Sequence, residues 1–282
     1  MPSRPGFPVR LKPAGAATSS IKGSGLPTIK SIASSARVMG AGSINDVKNS
    51  LQKPIPAGLG LDSHAIRARM VQKLGSQGVT DPRVLAAMGK VERHRFVDSA
   101  LVTQAYEDTS LPIGLGQTIS KPNVVARMLE LILAGETGEA GKASKAGKLG
   151  RVLEIGTGCG YQAALLGQIA TEVYSIERLR GLHDKARDNL RPFRLPNVHL
   201  LFGDGMIGYA KGAPYAAIIS AAGGEAIPQT WIDQLAMGGR LVAPLQSASG
   251  AQALVVIDKT PQGVRQTVLE AVNFVPLKSG TS

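Results

Sequence analysis

The chain contains 282 residues, of which 43% are hydrophobic and 18% are charged, so most of its length can form a packed core. Its single cysteine excludes an internal disulfide and favours a reducing compartment, for which we expect the cytoplasm. Four scattered histidines predict no metal site, and no apolar run reaches the roughly 20 residues that span a bilayer, so neither a metal nor a membrane is expected.

The formal net charge of +12 is spread unevenly along the chain. Residues 1–60 contain eight basic residues and one acidic residue, a net charge of +7 that leaves +5 for the remainder. This segment is rich in Gly, Pro, Ser and Ala and has too little apolar surface to offset the cost of ordering its backbone. We therefore predict a disordered basic extension over 1–60. Its acid-poor composition also faintly resembles a transit peptide, although it lacks an amphipathic stripe.

The first ordered elements are predicted to be helices. Apolar residues repeat at helical spacing from Leu61 to Leu74. A second helix follows Thr80–Asp81, which provide cap chemistry before Pro82. The Gly- and Pro-containing segment 111–122 is predicted to be a loop, and a further helix carries Val124 to Ile132. Residues 135–150 have almost no large apolar side chains, which predicts a flexible surface insertion.

From Arg151 onward, strand and helix patterns alternate. Short apolar runs predict strands at 152–155, 173–176, 199–202, 216–220, 240–245, 253–258 and 264–275. Helical patterns follow the first two runs, and another covers roughly 228–236. This alternation predicts an α/β fold, a single domain over 61–282 with a doubly wound, mostly parallel sheet. The last strands have no helices between them and are expected to pair antiparallel.

The glycine-rich segment VLEIGTGCGYQAALL (152–166) is the strongest sign of a ligand site. A predicted buried strand ends at Gly156, Gly158 and Gly160 and leads into a helix, so a ligand can approach the backbone closely near helix N–H groups. The glycines follow G-x-G-x-G, and Tyr161 stands where the dinucleotide fingerprint has its third glycine. The loop therefore disfavours a pyrophosphate-binding dehydrogenase.

Two acidic residues follow the next strands. Glu177, at the end of the second strand, can accept hydrogen bonds from both ribose hydroxyls of a nucleoside. Asp204, between Gly203 and Gly205, can meet an adenine amino group. Alone, each feature is weak, because Glu177 is compatible with a surface acid and 203–205 with a simple turn. In this order, they predict a nucleoside cofactor at the carboxyl edge of the sheet.

Several segments together resemble the protein-L-isoaspartate O-methyltransferases. They are LPIGLGQTISKP (111–122) with the helix after it, VLEIGTGCGYQAALL (152–166), SIER (175–178), GDG (203–205), IPQTWIDQLAMGGRLVAPL (227–245) and EAVNFVPL (270–277). The resemblance covers nearly everything from Leu61 to Lys278 except the insertion. The QTIS and FVPL segments are its most specific parts, because related methyltransferases share the glycine loop.

The resemblance implies a seven-stranded fold that uses S-adenosylmethionine to methylate L-isoaspartyl residues in damaged proteins and peptides. It implies an active-site serine at Ser120. It assigns cofactor contacts to Gln117, Thr118, Ile119, Gly156, Thr157, Gly158, Gly160, Glu177, Asp204 and Gly205. It assigns substrate contacts to the segment from Phe274 through Val275, Pro276 and Leu277. The chain departs from the family pattern at Cys159, Ala216, Gly223, Gly224 and Asn273.

The expected reaction needs no strong general base, because a carboxylate with a reference pKa near 4 is ionised at pH 7. We therefore predict that Ser120 orients the substrate carboxylate by a hydrogen bond. Alternatively, Ser120 is the N-cap of the helix that begins near Pro122. Cys159 is either inert packing or, if helix N–H groups lower its pKa, an oxidation-sensitive thiol.

Two other functions stay open at this point. The basic segment 1–60 is compatible with a methyltransferase that acts on RNA, although the chain has few aromatic residues for base stacking, which makes a nucleic-acid partner unfavoured. The departures at Ala216 and Asn273 are compatible with a non-catalytic module that binds S-adenosylmethionine. In each case the chain is expected to act as a monomer.

Overall fold

The computed structural model describes residues 63–135, 147–247 and 249–282. The predicted extension over 1–60 and most of the predicted insertion over 135–150 lie outside the described residues.

Six α-helices surround the sheet within the described residues. They are α1 (Ser63–Ser76), α2 (Pro82–Lys90), α3 (Pro122–Leu133), α4 (Tyr161–Ile169), α5 (Arg180–Leu190) and α6 (Gln229–Gln234). Helix α2 begins as predicted, because the Asp81 carboxylate accepts the N–H of Arg83 at 2.8 Å and Pro82 occupies the first turn. Its buried face includes Val84 and Met88, which stand at the i and i+4 spacing of an amphipathic helix.

The central sheet has seven strands in the order β10-β9-β8-β6-β3-β4-β5. These strands are β3 (Leu149–Ile155), β4 (Ala170–Glu177), β5 (Val198–Phe202), β6 (Tyr215–Ser220), β8 (Leu235–Gln246), β9 (Gln252–Thr260) and β10 (Gly263–Val272). Strands β5, β4, β3, β6 and β8 are parallel, whereas β9 and β10 continue the sheet antiparallel. The predicted doubly wound, mostly parallel sheet and its antiparallel end are confirmed.

Both faces of the central parallel strands β3 and β6 are buried, as a parallel sheet requires, whereas the edge strand β10 is mostly exposed. Along β3, Val152 packs into the core that includes α2, α3 and α4, whereas Leu153 and Ile155 point to the opposite face and pack with Trp231. The apolar run predicted as a buried strand therefore supplies side chains to two cores. Because the parallel strands end at the same edge, the loops after β3, β4 and β5 lie side by side.

Segment 111–122 differs from the predicted loop. It forms a hairpin of β1 (Leu111–Gly114) and β2 (Gln117–Ile119), in which Leu111 pairs with Ile119. Alternate residues, including Ile113, are buried, so the hairpin packs one face on the core. The turn places Gly114, Leu115 and Gly116 at positive φ. The two glycines adopt this conformation without strain, because they have no Cβ.

Several strand boundaries also differ from the prediction, and β8 starts at Leu235, inside the predicted helix over 228–236. Strand β3 starts at Leu149, inside the predicted insertion. The predicted strand over 264–275 ends at Val272, and a separate strand β11 (Val275–Pro276) pairs in parallel with β7 (Ala222–Gly223). The chain leaves the sheet edge between them because the Gln252 side chain accepts the N–H of Phe274 and donates to its carbonyl. This departure brings β11 beside the carboxyl ends of β3 and β6.

Candidate active site

A cleft of about 440 Å³ lies at the carboxyl edge of the sheet, between the β1–β2 hairpin, the loops after β3 and β4, and β11. Most of the residues singled out from the sequence line it: Gln117, Thr118, Gly156, Gly158, Glu177, Gly205, Val275, Pro276 and Leu277. A second, smaller cavity of about 40 Å³ is lined by Ile119, Ser120 and Thr157 and shares Thr118 and two loop glycines with the cleft. The structure thus brings these segments to one place. Gly160 and Asp204, which were also predicted to contact the cofactor, line neither space.

The glycine loop holds its shape through backbone conformations that favour glycine. Gly156, Gly158 and Gly160 have φ values of 89°, 56° and 91°. A Cβ at Gly160, the residue before α4, would lie 3.0 Å from Cδ1 of Leu190. A larger residue here would therefore crowd the Leu190 side chain of α5. A Cβ at Gly158 would lie 3.2 Å from Cδ1 of Ile113 in the hairpin. The loop therefore passes close under the hairpin, and the N–H groups of its three glycines are bonded within the protein, to Ile176, Glu177 and Thr157.

Glu177 connects the ends of β4 and β3. Its Oε2 accepts the N–H of Gly158 at 2.9 Å, and its Oε1 accepts the N–H of Leu179 at 2.9 Å. Only 5% of the residue is exposed. A carboxylate has about four acceptor positions, so each oxygen keeps one for a ligand in the cleft. The two backbone bonds fix the carboxylate without using its capacity to bind a diol.

The segment after β5 contributes its backbone to the cleft. Gly205 lines the cleft, where a Cβ would approach Cγ2 of Ile155 to 2.6 Å, so no larger residue fits. Trp231 of α6 is buried and donates its indole N–H to the Gly205 carbonyl at 2.8 Å. The Asp204 carboxylate accepts the N–H groups of Met206 and Gly280 at 2.8 and 2.7 Å. It therefore holds the turn and the C-terminal segment together beside the cleft.

Ser120 lines the small cavity and does not cap α3. The residue before α3 is Lys121, and it has no side-chain cap hydrogen bond, so the N-cap alternative for Ser120 is wrong. The Ser120 carbonyl accepts a hydrogen bond from Nη2 of Arg93 at 2.8 Å, which fixes the backbone there. Its hydroxyl makes no hydrogen bond among the described residues, so it is available to a ligand.

A buried polar chain lies under the glycine loop. Thr157 Oγ1 is 2.6 Å from Ser175 Oγ, and the Ser175 hydroxyl in turn donates to Oε2 of Glu154. Glu154 is fully buried, and burial raises its pKa to about 8, so the carboxyl is mostly protonated at pH 7. The neutral carboxyl ties the loop to β3 and β4 without placing a full charge beneath the cleft.

The prediction of a reactive thiol is wrong. Only 3% of Cys159 is exposed, and burial raises the pKa of its thiol to about 11. The N–H groups near the start of α4 do lower this pKa, but desolvation outweighs them. Cys159 is therefore packing in the core beside the loop, which is the other reading of this residue.

Three buried residues at the site escaped the sequence interpretation. Glu154 and Gln162 lie within the glycine-loop segment. Glu154 is a charged residue inside an otherwise apolar strand, which indicates a special role, but the interpretation of this segment considered only the glycines. Arg93 lies in a short 3-10 turn, Arg93–Phe96, whose sequence has no apolar period and no recognisable motif. Its burial arises only from tertiary packing.

In the ranges that the structure describes, three or more His, Cys, Asp or Glu side chains nowhere gather in a way that holds a metal ion. Over the same ranges, every helix is too short or too polar to cross a bilayer.

The fold and the cleft define the class of Rossmann-like methyltransferases, since a glycine loop, an acidic residue on the neighbouring strand and a third strand end form one nucleoside-sized groove. Within this class, residues 65–282 match the family of protein-L-isoaspartate(D-aspartate) O-methyltransferases. The chain belongs to this family.

Curated relatives carry the same family name. The chain is 62% identical to the protein-L-isoaspartate O-methyltransferase of Methylibium petroleiphilum over 228 residues, which are 80% of this chain and 82% of that protein. It is 56% identical to that of Leptothrix cholodnii over 237 residues, which are 83% and 81% of the two chains.

Solved structures agree with the fold. A protein-L-isoaspartate O-methyltransferase superposes with a TM-score of 0.66 at 26% identity and covers 76% of this chain and 66% of that chain. A Plasmodium falciparum protein proposed to belong to the same family, solved with S-adenosyl-L-homocysteine, has a TM-score of 0.63 at 21% identity and covers 75% and 98% of the two chains. At 21% identity, the similarity to the Plasmodium falciparum protein is evidence for the fold alone.

Proposed function

We propose that this chain transfers a methyl group from S-adenosylmethionine to the free carboxylate of L-isoaspartyl residues in damaged proteins and peptides, which initiates their repair. The observation that carries the proposal is the junction of the cleft with the smaller cavity that Ser120 lines, where Thr118, Gly156 and Gly158 line both spaces. A nucleoside-sized site and a carboxylate-sized site are thus neighbours. The names of the relatives support the same reaction.

The residues of the cleft fit S-adenosylmethionine. The two remaining acceptor positions on Glu177 suit the ribose hydroxyls, and the Gly205 backbone suits the adenine side, where only a glycine fits against Ile155. At one end of the cleft, Ile113 of the hairpin packs closely against Gly158 and closes the space between them. When bound, this cofactor supplies an electrophilic methyl group on a positively charged sulfonium.

Strand β11 supports a peptide substrate. Within the described residues, it pairs only with β7, and the N–H of Leu277 donates to the carbonyl of Gly223 at 2.7 Å. Its other edge lies along the cleft, where Val275 and Pro276 line the wall. An extended peptide can add to such an edge through backbone hydrogen bonds, which recognise any sequence. This suits an enzyme whose substrates share a damaged linkage and differ in sequence.

The proposed chemistry requires orientation and exclusion of water. The isoaspartyl carboxylate is ionised at pH 7, so it attacks without a general base. The Ser120 hydroxyl donates a hydrogen bond that fixes one carboxylate oxygen, and the buried hairpin residue Ile113 and the glycine loop shield the reacting atoms from water. Ser120 acts by positioning and forms no covalent intermediate.

Four of the five departures from the family pattern lie away from the proposed reacting groups, whereas the fifth, Cys159, lines the small cavity that contains Ser120. Ala216 is buried in β6, and Asn273 lies between β10 and β11. Neither residue lines the cleft or the cavity, and the same holds for Gly223 and Gly224. These positions favour an active enzyme over a module that only binds the cofactor.

No described residue favours an RNA substrate, because that alternative rests on 1–60. The proposed monomer in the cytoplasm is supported by a cleft built from one chain and by a free, buried Cys159.

A paired methylation assay tests the proposed function. Labelled S-adenosylmethionine is offered with an isoaspartyl peptide and, separately, with the same peptide containing normal aspartate. The proposal predicts base-labile methyl ester on the isoaspartyl peptide alone. Equal labelling of both peptides, or labelling of neither at saturating cofactor, contradicts it.

A further inference from the structure

The small cavity beside the cleft, which we call the Ser120 cavity, has room for one carboxylate. Its volume is about 40 Å³, and its walls include Ser120, Thr118, Tyr161 and Gln162. The opposite wall is the glycine loop, which it shares with the main cleft. A carboxylate, with two oxygens and one carbon, fits in this volume.

Gln162 presents an unused hydrogen-bond donor at this cavity. It is the second residue of α4, and 8% of it is exposed. Its Nε2 is buried and has no hydrogen-bond partner among the described residues. Buried side-chain amides in folded proteins are nearly always hydrogen-bonded, so an unpartnered one in a cavity wall indicates a ligand as its partner.

Glu154 is a neighbour of this amide. Its Oε1 is also buried and unpartnered, and it lies near enough to Gln162 that the amide contributes to lowering the pKa that burial raises. An amide nitrogen has two hydrogens, so a bond to Glu154 would use one of them and leave the other for the cavity. Because the Glu154 carboxyl is mostly protonated at pH 7, it exerts little repulsion on an anion in the cavity.

Arg93 makes the cavity electrostatically favourable for an anion. The residue is 0% exposed, its Nη2 donates to the Ser120 carbonyl, and its guanidinium lies 4.9 Å from the centre of the Tyr161 ring. No carboxylate of the described residues is within ion-pairing distance of it, and its Nη1 has no partner there. Arginine keeps its charge in proteins. A buried positive charge thus stands directly behind two walls of the cavity.

We propose that Gln162 is a second carboxylate-binding residue, whose Nε2–H donates to the isoaspartyl carboxylate while Ser120 holds its other oxygen. This inference rests on the proposed function and identifies which group of the substrate enters the Ser120 cavity. Gln162 touches the reacting carboxylate, whereas Glu154 and Arg93 act through Gln162 and Ser120 as positioning residues. The cofactor keeps its own contacts along the main cleft.

The test uses Gln162→Met, which keeps length and helix propensity but removes the donor, and Gln162→Glu, which keeps the shape and replaces the donor by an acceptor. Gln168→Met is the matched control, because Gln168 lies on the same helix and outside the cleft and the Ser120 cavity. For each protein, kcat/KM for an isoaspartyl peptide, the Kd of S-adenosylhomocysteine and the melting temperature are measured. A binding assay with S-adenosylhomocysteine present compares the isoaspartyl peptide with its uncharged isoasparaginyl analogue.

Loss of one hydrogen bond to a charged group lowers kcat/KM by about 10- to 100-fold in Gln162→Met, and Gln162→Glu loses at least as much. The Kd of S-adenosylhomocysteine stays within about twofold. The preference for the charged peptide over its uncharged analogue shrinks by the same factor as kcat/KM, which general damage to the fold does not produce. Gln168→Met resembles the wild type in all four measurements.

Three results overturn the inference. One is wild-type kcat/KM in both Gln162 variants. Another is a rise in the Kd of S-adenosylhomocysteine that accounts for the whole loss, which places Gln162 on the cofactor. The third is an equal loss of affinity for the charged and uncharged peptides. If the wild type itself fails to methylate the isoaspartyl peptide, the proposed function falls and this inference falls with it. If the wild type is active and the variants match it, only the inference falls.

Discussion

The substitution Glu177→Gln separates the two tasks of this carboxylate. In the wild type, each oxygen accepts one backbone N–H, from Gly158 or from Leu179, at 2.9 Å. Glutamine keeps the shape but turns one oxygen into an NH₂ group, which meets a backbone N–H as a second donor. One buried N–H then loses its acceptor, at a cost of about 1–3 kcal/mol in the free energy of unfolding.

Glu177→Gln also weakens the proposed ribose site. It removes one oxygen that would accept a hydrogen bond from a ribose hydroxyl, and it removes the negative charge of the carboxylate. A hydrogen bond to a charged group contributes about 1.5–3 kcal/mol, so the Kd of S-adenosylhomocysteine should rise about 10- to 150-fold. Calorimetry measures the Kd, and denaturant unfolding measures the stability. Glu107→Gln is a suitable control, because Glu107 is exposed and lies outside the cleft. If Glu177→Gln is folded and its Kd is within threefold of the wild type, the assignment of the ribose site to Glu177 is wrong.

Three further predictions concern the Ser120 cavity and the residues beneath the loop. Ser120→Ala should lower kcat/KM by about 10- to 150-fold at an unchanged melting temperature, because it loses a bond to a charged substrate; full turnover on an isoaspartyl peptide would remove its role. Since Glu154 keeps its proton in the folded state up to pH 8 and loses it near pH 4.5 when unfolded, wild-type stability should fall as pH rises between these values, by up to about 1.4 kcal/mol per pH unit. Denaturant unfolding at pH 5.5 and 7.5 should show a smaller fall in Glu154→Gln, and equal slopes would refute the buried protonated acid. Cys159 should label slowly with thiol reagents until the protein unfolds, and rapid labelling of the native protein would contradict its burial.

The sheet was predictable because its strands are short apolar runs with helical patterns between them. The segment from Val152 to Ile155 is one example, since a parallel strand buried on both faces is apolar throughout. The β1–β2 hairpin was missed because two glycines and two prolines obscure the alternation of Leu111, Ile113 and Ile119. That alternation matters only once the hairpin packs on the core.

The site was predictable where a residue's role follows from its place at a strand end. Glu177 and the glycine loop are of this kind, because parallel strands bring their carboxyl ends together. Asp204 was harder, since its carboxylate engages the N–H of Gly280, a residue 76 positions away in the sequence. The buried groups Arg93 and Gln162 could not be predicted, because their proximity to Ser120 depends on how three separate segments pack.

A crystal structure of the protein with S-adenosylhomocysteine and an isoaspartyl peptide is the most direct measurement of how these residues act together. We expect the ribose hydroxyls on the Glu177 carboxylate, the sulfur at the mouth of the Ser120 cavity, and the isoaspartyl carboxylate inside that cavity. A nucleoside bound away from Glu177, or a peptide carboxylate held outside the cavity while the sulfur faces elsewhere, would contradict the proposed arrangement of the active site.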